Sequence, residues 1–513
     1  MSTNGNHRRT PRVAIVGAGM SGLCMAIKLK QAGIDSFTIY EKASDLGGTW
    51  RDNTYPGLAC DVPSRFYQYS FDPNPDWTHV FSAGDEIWRY LDAVADRHGL
   101  RAHIRFGSEV IDARFEELAW QIETADGHQA TAEFLISATG VLHHPRYPDI
   151  EGLDEFEGDM FHSARWDHTV ALEGRRVAIV GTGSTAVQII CATAAQAGEL
   201  RVFQRTPQWV LPLPNPRYHG LISAAYRRLP ALNKVAYHGT RAMFELFARA
   251  LVAPGWQRSL VSWMCRRNLA TVKDPALRGA LTPNYQPMCK RLVVSAGFYK
   301  AMQGDNVRLI TDAIERIEPT GIRTRDGALH EIDVLVLATG FDAHAYMRPL
   351  QLTGEDGLSI DEAWSDGPRA YRTVAMPGFP NLFVLMGPHS PIGNYSLFPI
   401  AEAQADHALG WIQRWQTGEL ATVAPTQHAT DRFNADMRAA MPNTVWVTGC
   451  QSWYLGKDGV PELWPWTPDR HRHMLAQPAI EDFHTTRPGG DHHDSTDLPA
   501  PRRTFARTSG SVR

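Results

Sequence analysis

Paired cysteines, long hydrophobic runs and a strong net charge are all missing from this 513-residue chain. Its six cysteines, Cys24, Cys60, Cys191, Cys265, Cys289 and Cys450, include no Cys-x-x-Cys pair. That excludes a dithiol redox motif and predicts neither a disulfide framework nor a zinc cluster, so no metal site is expected. A reducing cytoplasm is the expected setting. The formal net charge of −4 supplies no global field for nucleic acid or an anionic membrane. The first twelve residues are polar and basic, with no signal-type apolar segment after them. The most apolar later stretch, residues 242–254, is interrupted by Glu245 and Arg249. It is too short to span a bilayer, and a core helix is expected there.

What is present is ordinary globular composition, 43% apolar and 21% charged, in a chain long enough for several domains. Residues 12–16 form a short β-branched run closed by Gly17, residues 21–31 carry helical spacing, and residues 36–40 read as a second strand. The same order recurs at 175–180, 184–197 and 200–204, as if one βαβ unit had been used twice. Two further strands, from Phe134 and Val334, both end in Ala-Thr-Gly, at the carboxyl edge where open α/β sheets bind ligands. From about Pro212 to Cys289 helical periods replace strands.

Each unit holds a glycine loop between its strand and its helix. Gly17-Ala-Gly19-Met-Ser-Gly22 is G-x-G-x-x-G, and Gly181-Thr-Gly183-Ser184-Thr-Ala186 is the G-x-G-x-x-A version. The first glycine permits the turn, the second admits a pyrophosphate, and the third position lets the helix pack on its strand. Alone, either loop could be a turn with no ligand; within a βαβ unit each points to a dinucleotide. Glu41 follows Gly17 by 24 positions, and Arg205 follows Gly181 by the same 24. A carboxylate there accepts ribose hydroxyls and repels a 2′-phosphate, whereas a guanidinium pairs with one. The first unit is therefore expected to take FAD and the second NADP, with Thr206 a further donor. Without the matched offset, Arg205 would read as a solvated surface charge.

Residues 156–167, Phe-Glu-Gly-Asp-Met-Phe-His-Ser-Ala-Arg-Trp-Asp, resemble the F-x-G-x-x-x-H-x-x-x-W-[PD] fingerprint of type I Baeyer–Villiger monooxygenases. Residues 47–61, with Gly48, Trp50, Tyr55-Pro-Gly57 and Asp61, resemble that family's second fingerprint. The resemblance covers about residues 10–465. It implies that Arg291 is the catalytic arginine, that Lys290 is a further NADP phosphate partner, and that Trp453 lies on a loop contacting the nicotinamide cofactor. Asp61, if within reach, would orient Arg291. By itself His162 reads as a structural histidine, and the resemblance gives it a coordinating rather than a chemical role.

The expected fold is α/β, with two Rossmann-like dinucleotide-binding domains and a helical insertion. An FAD domain spans 10–145 and 341–483, an NADP domain 151–211 and 289–340, the insertion 212–288 and a disordered tail 484–513. The function implied is NADPH-dependent insertion of one oxygen atom of O2 beside a ketone carbonyl through a C4a-peroxyflavin, giving an ester or lactone. Oxygenation of sulfides or amines is the alternative, and a flavoprotein sensor without turnover a third reading. The partners expected are a small-molecule ketone and O2, with no nucleic acid and no membrane span. Trp209, Phe244, Phe247 and Trp263 suggest apolar surface near the insertion, which core packing would equally explain.

Overall fold

The computed structural model of the protein describes residues 9–391, 393 and 395–488. Strand β1 (Val13–Val16), helix α1 (Met20–Gln31) and strand β2 (Phe37–Tyr40) form the first βαβ unit; β3 (Arg176–Val180), α2 (Ser184–Thr193) and β4 (Glu199–Phe203) form the second. β1 is buried at every residue and β3 at its three central ones, the pattern of strands covered on both faces.

The first parallel sheet runs 382–384, 134–137, β1, β2, 104–105; the second runs 307–310, β4, β3, 334–337, 159–162. Their registers match. Val16 lies beside Ser137 and Val180 beside Leu337, so both Ala-Thr-Gly segments emerge next to a glycine loop. Gly17 N donates to Tyr40 O at 2.8 Å, and Gly181 N donates to Phe203 O at 3.1 Å. The repeat seen in the sequence is thus a repeat of backbone hydrogen bonding.

Two antiparallel sheets have no counterpart in the sequence pattern: 110–116, 119–124 and 129–132, with 351–353 added in parallel, and 314–318, 321–324 and 329–331. Each immediately precedes an Ala-Thr-Gly strand. The second unit's helix ends earlier than its apolar pattern suggests. Thr193 Oγ1 bonds back to Ile189 O at 2.8 Å, and Asn306 Nδ2 takes the Ala194 and Ala197 carbonyls at 2.8 and 2.9 Å, which satisfies the chain outside the helix.

Between Val210–Leu211 and Val293–Val294, which pair in parallel, the chain forms α3 (Gly220–Arg228), α4 (Pro230–Val252) and α5 (Trp256–Leu269). Residues 242–254 are only half a core segment. Ala248 and Ala250 are buried, whereas Met243, Leu246 and Arg249 face solvent. No helix among the described residues is long and apolar enough to cross a membrane. The first residues of the expected disordered tail, His484 to Thr486, instead belong to a strand, Phe483–Thr486, paired with Thr422–Pro425; residues 489–513 lie outside those described.

Candidate active site

Steric demands at the first loop follow the glycine argument. Gly17 has φ +107°, and a Cβ there would sit 2.6 Å from Ala138 O; one on Gly22 would sit 1.9 Å from Gly17 O. Gly181, at φ +123°, meets Ala338 O in the same way. Gly183 has open space at its Cβ position, and Gly19 meets only Gly48 Cα, at 3.7 Å. Backbone is therefore bare where a pyrophosphate approaches each helix N-terminus, and neither Gly19 nor Gly183 uses a side-chain cap. Ser184 opens α2 beside that bare backbone.

Glu41 is buried at the end of β2 and lines the same cavity as both loops. Its carboxylate accepts from Ala18 N at 2.9 Å and Ala43 N at 3.0 Å, and Arg51 lies 3.2 Å from Oε1. These bonds fix its direction while a carboxylate keeps lone pairs for ribose hydroxyls. Arg51 has no sequence signal. Trp50 donates to Tyr67 OH at 3.2 Å, and Gly48, at φ +52°, packs against Gly19.

Arg205 is exposed at the rim with no ion-pair partner among the described residues. Burial and the charge of Arg205 lower the Lys290 ammonium from its usual value. Neither cation has an ion-pair partner among the described residues, a charge pattern suited to an anion. The Thr206 carbonyl accepts from Thr182 Oγ1 at 2.7 Å, which ties the segment after β4 to the second glycine loop.

Arg291 and Asp61, 230 positions apart, form a forked pair at 2.9–3.2 Å. The Asp61 charge raises the guanidinium well above its usual range, so Arg291 is cationic at every working pH. Burial pushes the nearby Tyr55 and Tyr454 phenols up to about 12; both stay neutral and leave Asp61 as the counter-charge. Tyr55 OH donates to Gln188 Oε1 at 3.0 Å, Gln188 Nε2 donates to Ala59 O at 2.8 Å, and a Cβ on Gly57 would lie 2.7 Å from Gln188 O. The Tyr-Pro-Gly segment is thus clamped onto α2, which places Asp61 at the seam of the two units. Gln188 carries no motif, and sequence reasoning misses it.

Cys289 and Cys450 are joined by a disulfide across 161 positions. This corrects the expectation of no disulfide: spacing reveals adjacent ligand pairs, and these two cysteines meet only through the fold. The bridge ties the segment just before Lys290 and Arg291 to the loop carrying Trp453. Trp453 lines the cavity and stacks edge-on to Tyr454 at 4.4 Å. Closing so long a loop restrains the unfolded chain by about 4–5 kcal/mol in the chain-entropy model. Cys450→Ser, or reductant, is expected to lower Tm by several degrees and to raise KM for the nicotinamide cofactor. Unchanged values for both in thermal melts and steady-state kinetics would remove that role.

His162 is fully buried at the end of the 159–162 strand, and its Nδ1 accepts from Ala164 N at 3.1 Å. Burial lowers its pKa, so it is neutral, as a structural histidine should be. Phe161 and Trp166 pack edge to face at 4.8 Å. Of the insertion aromatics, Trp209 is core, with Nε1 donating to Tyr285 O at 2.7 Å, Phe244 packs on Phe66, and Trp263 is exposed.

Both glycine loops, Glu41, Trp50, Asp61, Arg205, Thr206, Lys290, Arg291 and Trp453 line one continuous cavity of about 1470 Å³. A single ligand typically needs 300–1,000 Å³, so this cavity has room for two ligands, and the Arg291–Asp61 pair lines it together with both loops.

Residues 14–240 match the family model described as pyridine nucleotide-disulphide oxidoreductase. An uncharacterized monooxygenase of Mycobacterium tuberculosis is 59% identical, over 93% of this chain and 96% of that protein. A Baeyer–Villiger monooxygenase of Streptomyces coelicolor is 39% identical over 93% of each chain. The solved structure of an oxidized steroid monooxygenase bound to NADP superposes with a TM-score of 0.83 at 31% identity, covering 94% of this chain and all of that one. Two matched nucleotide cradles, an arginine at their junction and near full-length likeness to such an enzyme agree: the chain belongs to the FAD- and NADPH-dependent type I Baeyer–Villiger monooxygenases.

Proposed function

We propose that the protein oxygenates a ketone to an ester or lactone, with FAD in the first cradle and NADP in the second. The observation that carries this reading is the forked Arg291–Asp61 pair at the junction of the two cradles. Gly17, Gly19, Gly22 and Glu41 would hold the FAD pyrophosphate and ribose, with Gly48 and Trp50 beside them. Gly181, Gly183 and Ser184 would hold the NADP pyrophosphate, and Arg205, Thr206 and Lys290 its 2′-phosphate. The bound flavin supplies the hydride acceptance and oxygen activation that side chains lack.

The protein's own residues then set charge and access. Arg291 stabilises negative charge developing on the substrate carbonyl oxygen, and a fixed cation in a recessed site does this without reorganising. Asp61 orients the guanidinium by binding two of its nitrogens and leaves the rest for the reacting atoms. Trp453 and Tyr454 shield that face from water.

A molecule carrying both a ketone and a thioether separates ketone oxygenation from the sulfide alternative. The expected product is the ester or lactone, with the thioether kept, accompanied by NADPH-driven bleaching of the flavin. Sulfoxide as the main product would select the sulfide reading, and a flavin that NADPH does not bleach would mean no turnover.

A further inference from the structure

Ten of the sixteen exposed large hydrophobic residues among those described fall between Leu221 and Trp263. That stretch lies within the helical insertion and is under a tenth of the 513-residue chain, so the exposure is concentrated and not scattered. On α4, Leu232, Val235 and Leu246 are exposed at helical spacing; on α5, Trp256 and Trp263 are exposed two turns apart, each over half accessible. Leu221, on α3, is 73% exposed. The opposite faces pack inward: Tyr237 and Phe244 meet Phe66, and Tyr395 donates to Glu245 at 2.6 Å. On α5 the opposite face, with Val261, Cys265 and Leu269, is likewise buried.

Charge is segregated in the same place. Residues 217–267 hold nine Lys and Arg against one acidic residue, Glu245, so this stretch is +8 while the remainder of the chain is −12. Glu245 is already engaged by Tyr395 and by Asp469 N. Arg227 and Arg241 pair with Asp76 and Asp469, and Arg258 is spent on the carbonyls of Ala250 and Leu251. Arg228, Lys234, Arg249, Arg266 and Arg267 are exposed and have no ion-pair partner among the described residues. The net charge of −4, which argues against an anionic surface, conceals this asymmetry.

Apolar stripes with exposed tryptophans, flanked by free cations, are complementary to an anionic lipid interface, where the apolar face enters the acyl boundary and the cations meet headgroups. We propose that the insertion docks this protein peripherally on an anionic bilayer. Water-soluble monomers rarely leave such a surface open. The inner faces of the same helices approach the cavity: Tyr395, bonded to Glu245 of α4, is one of its lining residues. Docking would thus place the catalytic cleft one helix layer from the lipid and favour substrates that partition there. Lipid binding stands whether or not the substrate is a ketone, since its measurement involves no turnover.

The test uses the full-length flavin-loaded protein and vesicles of phosphatidylcholine with or without phosphatidylglycerol. The protein is expected to sediment with the anionic vesicles, less so at high salt, and to stay in solution with phosphatidylcholine alone. Reversing exposed cations, as in Arg228→Glu, Lys234→Glu and Arg249→Glu, should weaken partitioning roughly fivefold per residue. Trp256→Ser with Trp263→Ser should weaken it with every charge intact, and all these variants should keep flavin bleaching by NADPH. In the unmodified protein, anionic vesicles should slow amide exchange within 220–269, a readout that needs no variant to fold. No sedimentation with anionic vesicles, or exchange protection lying elsewhere, overturns the proposal. So does a dimer that the tryptophan substitutions dissociate without any vesicle binding, which would identify a second copy as the occupant.

Discussion

Arg291→Ala is expected to abolish product formation, by about 10²–10³-fold or more, while NADPH still bleaches the flavin and oxygen is still consumed. The arginine's hydrogen bonds go to Asp61, so nucleotide binding and hydride transfer are expected to have no direct need of it. Its loss removes the permanent cation at the junction and strands Asp61, whose side chain is only 10% exposed. An unpaired buried charge costs about 3–5 kcal/mol, so the single variant would lose stability as well as catalysis. The double variant Arg291→Ala/Asp61→Ala separates the two: it should recover thermal stability and remain unable to oxygenate. Arg291→Lys keeps charge but not the fork and should fall between. Since Asp61 raises the Arg291 pKa, no limb of the pH–rate profile should arise from this residue. Ester formation at the normal rate by a well-folded Arg291→Ala protein would end the assignment.

Removing Arg205 and Lys290 together should reverse coenzyme preference. Each charge-assisted contact to a 2′-phosphate is worth about 1.5–3 kcal/mol, so KM for NADPH should rise about 10²-fold or more in the double alanine variant. NADH, lacking that phosphate, should be nearly unaffected or bind better, because two like charges that burden each other have gone. The measurement is kcat/KM for both coenzymes with one substrate. An equal loss for both would show that the pair positions the nicotinamide and does not read the phosphate. A pH dependence is also expected: burial and Arg205 lower the Lys290 pKa, so its contribution is full below that value and lost as pH rises through it.

Several of these residues are legible in the amino-acid sequence alone. The glycine loops, Glu41 and Arg205 lie within single βαβ units, where 24 residues of chain are enough to set their relation. Local geometry of strand, turn and helix makes such offsets transferable. The antiparallel sheets are not legible, since short alternating runs flanking stronger apolar strands carry little signal on their own. Neither is Arg51 or Gln188: each acts on a residue that the motifs do name, but through contacts the motifs do not encode. The disulfide escapes for a related reason, because Cys289 and Cys450 follow no spacing rule.

By itself, the sequence determined that two dinucleotide cradles exist, how their charges differ, and that the family fingerprints are present, because each of these is written in a contiguous stretch of chain. Tertiary structure alone decided that Asp61 meets Arg291 across 230 positions, that Cys289 meets Cys450 across 161, and that both loops open into one cavity. The insertion shows the same division. Its excess of Arg and Lys can be counted along the chain, but a helix can bury or expose a given stripe. Only packing of the opposite faces, that of α4 against Phe66 and Tyr395 and that of α5 through Val261, Cys265 and Leu269, left Leu232, Val235, Trp256 and Trp263 facing outward.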